Sequence, residues 1–298
     1  MGEQFWWIYD AALAGVVLVF AFVMGRKGMA KALISLVCTL LALVIAFSVS
    51  GAVSKGIYKT AMRPGAVKNL SKDLYSDSVK SRLAEYLSGL EYNLRIKNDK
   101  LTDIIENAED LDSELYNYAN NLNGTKVDEE GVFKNKLHEV YSQIIYDLVS
   151  KEFDPYIADH AKELVIDNPA PFAQIAKELN EEGGGQKEAA HIIADNYIGP
   201  TYSKVFRYIS FIAVFVVVLL LAFFIMKSFT ESLSSGGAVS HIMGGILGIG
   251  IGIIILIVAG VVIKLNILMG NNEMMLFNKD TLDSTVVFKY IFNLVSGL

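Results

Sequence analysis

The chain has 298 residues, of which 53% are hydrophobic and 19% charged, with a net charge of −6 and a mean hydropathy of +0.40. Soluble domains carry about 25% charged residues, and the shortfall is uneven: residues 64–204 hold 15 of the 26 Lys and Arg and 26 of the 32 Asp and Glu, a local net of −11. This distribution excludes a single soluble globule and a disordered chain; the net charge argues against a nucleic-acid binder, and one Cys excludes an internal disulfide and a multi-Cys metal site.

In chain order, the first apolar stretch runs over residues 5–24, close to the roughly 20 residues that a bilayer core requires of a helix. It carries one charge, Asp10, at its edge. The residues before it lack a basic run, and no small-residue cleavage site stands clear of the next stretch, so it reads as a retained span. Trp6 and Trp7 suit an interfacial aromatic belt. A short link through Gly25, Arg26, Lys27 and Gly28 to Lys31 is the tip of a helical hairpin whose second span covers residues 32–53. Cys38 within it reads as a small apolar residue.

Residues 64–204 then read as a soluble helical bundle. Leu70, Leu74, Val79, Leu83 and Leu87 recur at helical spacing, as do Leu101, Ile104, Ile105, Leu111 and Leu115, and then Leu137, Val140, Tyr141, Ile144 and Leu148. Asp154-Pro155 has the form of an N-cap followed by proline at the first helical position. Shorter helices are expected over 156–166, 172–180 and 187–198, with a break at Gly183-Gly184-Gly185.

Two more apolar stretches, 208–226 and 242–263, form a second hairpin over 205–270, broken at Gly236-Gly237. Gly244, Gly248 and Gly252 lie four apart on one helix face, the usual device for close backbone approach between membrane helices. They suit packing within the chain, a homo-oligomer contact or a pore lining. Asp10 and Lys264 lie at span ends and can reach the interface, so no ionisable group marks a proton or ion path. The tail, 271–298, places Val286, Val287, Tyr290, Ile291, Leu294 and Val295 at helical spacing, for the membrane surface or for packing on the acidic segment.

No catalytic constellation emerges. His138, His160 and His191 are isolated in sequence, His138-Glu139 lacks the second His of a zinc helix, and the acidic runs lack the spacing of a calcium loop. The chain therefore reads as non-catalytic, with no cofactor and no metal. The expected fold is all-α: a four-span helical membrane protein of two hairpins, with a soluble helical bundle inserted between them.

These features together resemble the colicin V production protein family. The residues that carry the resemblance are Trp7-Ile8-Tyr9-Asp10 at the first span, Lys27-Gly28 followed by Ala30 to Leu36, the Met243-Gly244-Gly245-Ile246-Leu247-Gly248 entry to the last span, and Asp283-Ser284 leading into the tail helix. The match covers about 5–55 and 205–298. The chain departs from the family pattern at Ile251, where a basic residue often stands, at the Ser240-His241 lead-in, and in its much longer acidic insert. The resemblance implies a bacterial inner-membrane protein for toxin production or export and envelope homeostasis, working through a membrane or envelope protein partner. An oligomeric channel or transporter component and an extracytoplasmic sensor or adhesion module are the alternatives. Positive charges flank both the first tip (Arg26, Lys27, Lys31) and the acidic segment (Lys55, Lys59, Arg63, Lys68, Lys204, Arg207); weighting the short loops favours both tips inside and the acidic domain outside.

Overall fold

The computed structural model describes residues 5–74, 78–90, 92–180, 185–230, 233, 236–269, 274 and 277–295. Helices are the only regular elements among them, with no strand. Gly183 and Gly184 of the glycine break, and 271–273, 275, 276 and 296–298 of the tail, lie outside the described residues. The chain divides into two compact units, one of residues 1–56 with 204–298 and one of residues 57–203.

In the first unit, α1 (Trp6–Lys27), α2 (Met29–Ile57), α11 (Gly199–Thr230, from Lys204 onward) and α12 (Ala238–Met269) are long and apolar enough to cross a membrane. At 1.5 Å per residue, the 22 residues of α1 already reach about 33 Å, the thickness of a hydrocarbon core. Leu18, Phe22, Val217, Leu221, Phe224 and Ile246 are each more than half exposed. Apolar surface on that scale belongs in lipid. This is an all-α, multi-pass membrane protein. Hydroxyls inside α2 return to their own backbone: Thr39 Oγ1 donates to the Ser35 carbonyl at 2.7 Å and Ser54 Oγ to the Gly51 carbonyl at 3.0 Å, which keeps unpaired polar groups out of the hydrocarbon.

The turn between α1 and α2 is one residue, Gly28, whose φ of 83° suits glycine alone. The close backbone partner of α1, however, is α12 from the far end of the chain. Ala42 and Ala46 of α2 share a separate apolar cluster with Tyr208, Phe211 and Phe215 of α11 and Ile254 and Val261 of α12. The tail forms α13 (Lys279–Asp283) and α14 (Phe288–Leu294). Neither tail expectation describes it: Leu282 and Phe288 bury against Tyr9 and Leu256, so the tail packs on α1 and α12. Tyr9 and Phe288 have ring centroids 5.3 Å apart.

The second unit begins at Ile57, before the expected boundary at 64, because the helical backbone does not stop there. A π turn, Tyr58–Met62, leads into α3 (Arg63–Asp73). Then follow α4 (Ser78–Gly89), α5 (Asn98–Asn107), α6 (Leu111–Asn123), α7 (Glu130–Val149), α8 (Pro155–Asp167), α9 (Ala170–Asn180) and α10 (Gln186–Ile193). A second π turn, Ala194–Ile198, continues α10 into α11. Each π turn precedes a proline, Pro64 and Pro200. Proline lacks the N–H that would bond the carbonyl four residues back, and its ring pushes that carbonyl aside; widening one turn accommodates it without ending the helix. The two turns are joined: Tyr58 Oη donates to the Ala194 carbonyl, and Arg63 grips Asp195 with two bonds of 2.5 and 2.7 Å. The core centres on α7, where Phe133, Leu137, Tyr141, Ile144 and Leu148 are buried and Tyr141 stacks on Phe172 of α9 at 3.9 Å. Asp154 caps α8 by accepting from the Tyr156 N–H at 2.9 Å.

With a core of its own, the fragment 57–203 should fold alone, with the circular dichroism of a helical bundle and one cooperative urea transition; Phe172→Ala should cost about 3–5 kcal/mol of its stability. Its acid sensitivity follows from three carboxylates held below their ordinary range: Asp195 by the Arg63 guanidinium, Asp110 by the Ser113 hydroxyl, and Asp128 by the Tyr92 hydroxyl and Lys136. A carboxyl with a lowered folded pKa stabilises fully above its unfolded value, about 3.9, and loses that stabilisation as pH falls through the folded value. Urea midpoints should therefore hold steady from neutral pH to about 5 and fall below 4, with Asp195→Asn flattening part of the fall.

Candidate functional site: the α1–α12 seam

Gly244, Gly248 and Gly252 of α12 lie along α1. A Cβ on Gly244 would stand 2.6 Å from the Met24 carbonyl oxygen, and one on Gly248 would overlap the Phe20 carbonyl. One on Gly252 would come within 3.2 Å of the Val17 Cα. Ascending residues of α12 thus meet descending residues of α1, and the helices run antiparallel. In lipid there is little hydrophobic gain in bringing helices together, so close packing across small residues carries the association. The glycine face is occupied by the chain's own α1. An oligomer or a pore would have to use another surface.

At the end of the seam where α1 meets α2, the two hairpin tips are pinned to each other. His241 Nδ1 lies 2.8 Å from the Gly25 carbonyl oxygen. A carbonyl only accepts, so Nδ1 carries the proton. The Met29 N–H, one of the orphan donors at the start of α2, donates to Ser240 Oγ at 2.9 Å. Arg26 is exposed with its guanidinium 5.7 Å from the Phe22 ring centroid, and Lys27 is also exposed. Among the described residues no carboxylate pairs with Arg26, Lys27 or Lys31. A cavity of about 480 Å³ opens here between α1 and α12.

At the opposite end, Asp10 has backbone partners in the tail. Its carboxylate accepts from the backbone N–H groups of Val286, Val287 and Phe288 at 2.7, 3.1 and 2.9 Å, capping α14 from a residue more than 270 positions away. Lys264 of α12 holds the other end of that helix, donating from Nζ to the Val295 carbonyl at 3.2 Å. An anion at a helix N-terminus and a cation at its C-terminus both oppose the helix dipole. Val295 also packs on Gly260, where a Cβ would stand 3.2 Å from its methyl.

Sequence spacing picks out the glycines, the tip and Asp10 as separate features; the structure sets all of them along α1 and α12. It gives Ser240, His241 and Lys264 partners that lie too far along the chain for any local pattern to signal. In the second unit it also gives His138 a partner. His138 Nε2 lies 2.7 Å from Asp112, which accepts from the Tyr141 hydroxyl at 2.9 Å. Burial pushes the Tyr141 pKa well up, so it donates as a neutral phenol. No Ser, Thr or Cys side chain is hydrogen-bonded to His138 among the described residues, and no group of three or more His, Cys, Asp or Glu there could hold a metal.

No protein-family model matches the chain, and neither the curated proteins nor the solved structures compared with it give a match.

Two substitutions probe the seam. Gly248→Leu must displace the α1 backbone and should lower the melting temperature in detergent sharply, an overpacking cost of about 1–3 kcal/mol or more, whereas Gly15→Leu, with open space around its Cβ, should leave it unchanged. Asp10→Ala strips the α14 cap, worth about 0.5–2 kcal/mol, and hydrogen exchange should speed up at Val286, Val287 and Phe288 while α1 stays protected.

Proposed function

We propose that this chain is a non-catalytic membrane scaffold of the colicin V production type, serving bacteriocin production or export or envelope homeostasis through contacts with other envelope proteins. The observation that carries this reading is the self-directed seam. The small-residue face of α12 closes on α1, and the charged groups Asp10 and Lys264 hold the tail of the same chain. Such an arrangement suits a rigid platform better than a transport path, which would turn its intramembrane charges toward a cavity. The order of motifs over 5–55 and 205–298 supplies the link to the colicin V production proteins. On this reading the protein sits in the bacterial inner membrane with residues 57–203 on the outer side, presenting a folded helical surface to partners.

Disruption of the gene in a bacteriocin-producing bacterium should reduce secreted bacteriocin activity or raise sensitivity to envelope stress. Wild type should restore the phenotype, and Gly248→Leu should not. A disrupted strain that matches its parent in both assays overturns the proposal. Sidedness is read separately by placing Cys at Asn117, an exposed position on α6, and labelling intact cells with a membrane-impermeant thiol reagent. Labelling before lysis is expected; labelling only after lysis puts this unit in the cytoplasm.

A further inference from the structure

We propose that the cavity at the tip end of the α1–α12 seam binds the headgroup of an anionic phospholipid, with Arg26 on its phosphate, His241 accepting from a headgroup hydroxyl and one acyl chain along Phe22 and Ile242. The cavity, about 480 Å³, falls within the range of small-molecule sites, about 300–1,000 Å³. It spans the level at which α1 turns from lipid-facing to charged. Phe22 and Ile242, both 65% exposed, line one part, and Arg26 and His241 line another. The space exists because Gly25 and Gly245 bring no side chains to it. The backbones approach so closely there that a Cβ on Gly25 would stand 3.3 Å from the His241 carbonyl and one on Gly245 3.4 Å from the Ala21 carbonyl.

Charge selects the occupant. Arg26 has no carboxylate partner among the described residues; it leans on the Phe22 ring and keeps its donors for a ligand. The bond from His241 Nδ1 to Gly25 fixes the imidazole and leaves Nε2 as an acceptor for a headgroup hydroxyl. The two tips, residues 25–31 and 227–241, carry Arg26, Lys27, Lys31 and Lys227 against one acid, Glu231, which lies outside the described residues. The described acids of this unit, Asp10, Asp280 and Asp283, go with the tail at the other end. Two long helices, α2 and α12, start at this end and two, α1 and α11, finish there, so the helix dipoles balance and the excess of positive charge comes from the side chains. A planar guanidinium at the edge of an apolar groove matches a lipid phosphate with its chain attached, and basic pockets between membrane helices take such headgroups. The inference does not depend on the function proposed above.

The test uses the full chain purified in an uncharged detergent. It is titrated with phosphatidylglycerol, phosphatidylcholine or inorganic phosphate, and bound ligand is read by native mass spectrometry. Phosphatidylglycerol should bind at least about tenfold more tightly than phosphatidylcholine, the scale of one charge-assisted hydrogen bond. Arg26→Gln should remove most of that preference without moving the melting temperature, since Arg26 is exposed. Gly245→Leu, which fills the groove, should weaken both lipids. Lys27→Gln, a neighbouring charge outside the cavity lining, should stay within about threefold of wild type. Equal affinity for the two lipids overturns the proposal. So does an equal loss in Arg26→Gln and Lys27→Gln, which would mean diffuse surface charge. Displacement of the lipid by millimolar inorganic phosphate assigns the site to a free anion, and a lipid-free dimer assigns the groove to a second copy; either result also overturns it.

Discussion

The approach of α12 to α1 is the contact on which the rest of the membrane unit depends. Water supplies no driving force between helices in lipid, so two of them stay together only if their surfaces touch over a long strip. Gly244, Gly248 and Gly252 make one side of that strip flat, and the carbonyls of Phe20 and Met24 lie against it at a distance that leaves no room for a methyl group. The other features follow from this contact. His241 reaches Gly25 and Ser240 reaches Met29 because the glycine strip has already brought the two tips level. At the opposite end, Asp10 and Lys264 come within reach of the same short helix because they sit on the two helices that the strip joins.

That short helix shows how a membrane unit uses its few charges. Seven residues are too few for a helix to stand alone, since nucleation outweighs the bonds gained. A carboxylate bonded to three N–H groups at one end and an ammonium on a carbonyl at the other make up the difference. Phe288 and Leu282 then add apolar burial against Tyr9 and Leu256. Both charges gain partners within the fold.

The second unit is built on ordinary water-driven burial, with α7 at its centre and caps such as Asp154 setting where helices start. Its chain ends differ from those of a loop-tethered insert. The prolines at 64 and 200 widen a turn instead of stopping a helix, and the two widened turns bond to each other through Tyr58 and Ala194 and through Arg63 and Asp195. A proline read from sequence signals a boundary. Here the neighbouring pair of turns supplies the bonds that the boundary reading assumes are lost.

What the sequence determined by itself was the class of each segment. The length and apolarity of four stretches, the acidic helical pattern between them and the glycine spacing on one face all follow from local properties: the cost of placing side chains in lipid or water, and the 3.6-residue turn. Which segments meet was decided only in the tertiary structure. Sequence adjacency favours α1 with α2, yet the close partner of α1 is α12. The glycine pattern marks a face for packing without saying what fills it. Asp10, His241 and Lys264 take partners set by geometry across the whole chain, and no local pattern encodes a hydrogen bond between residues 10 and 288. Pairing is a property of two surfaces at once, and a sequence displays its surfaces one at a time.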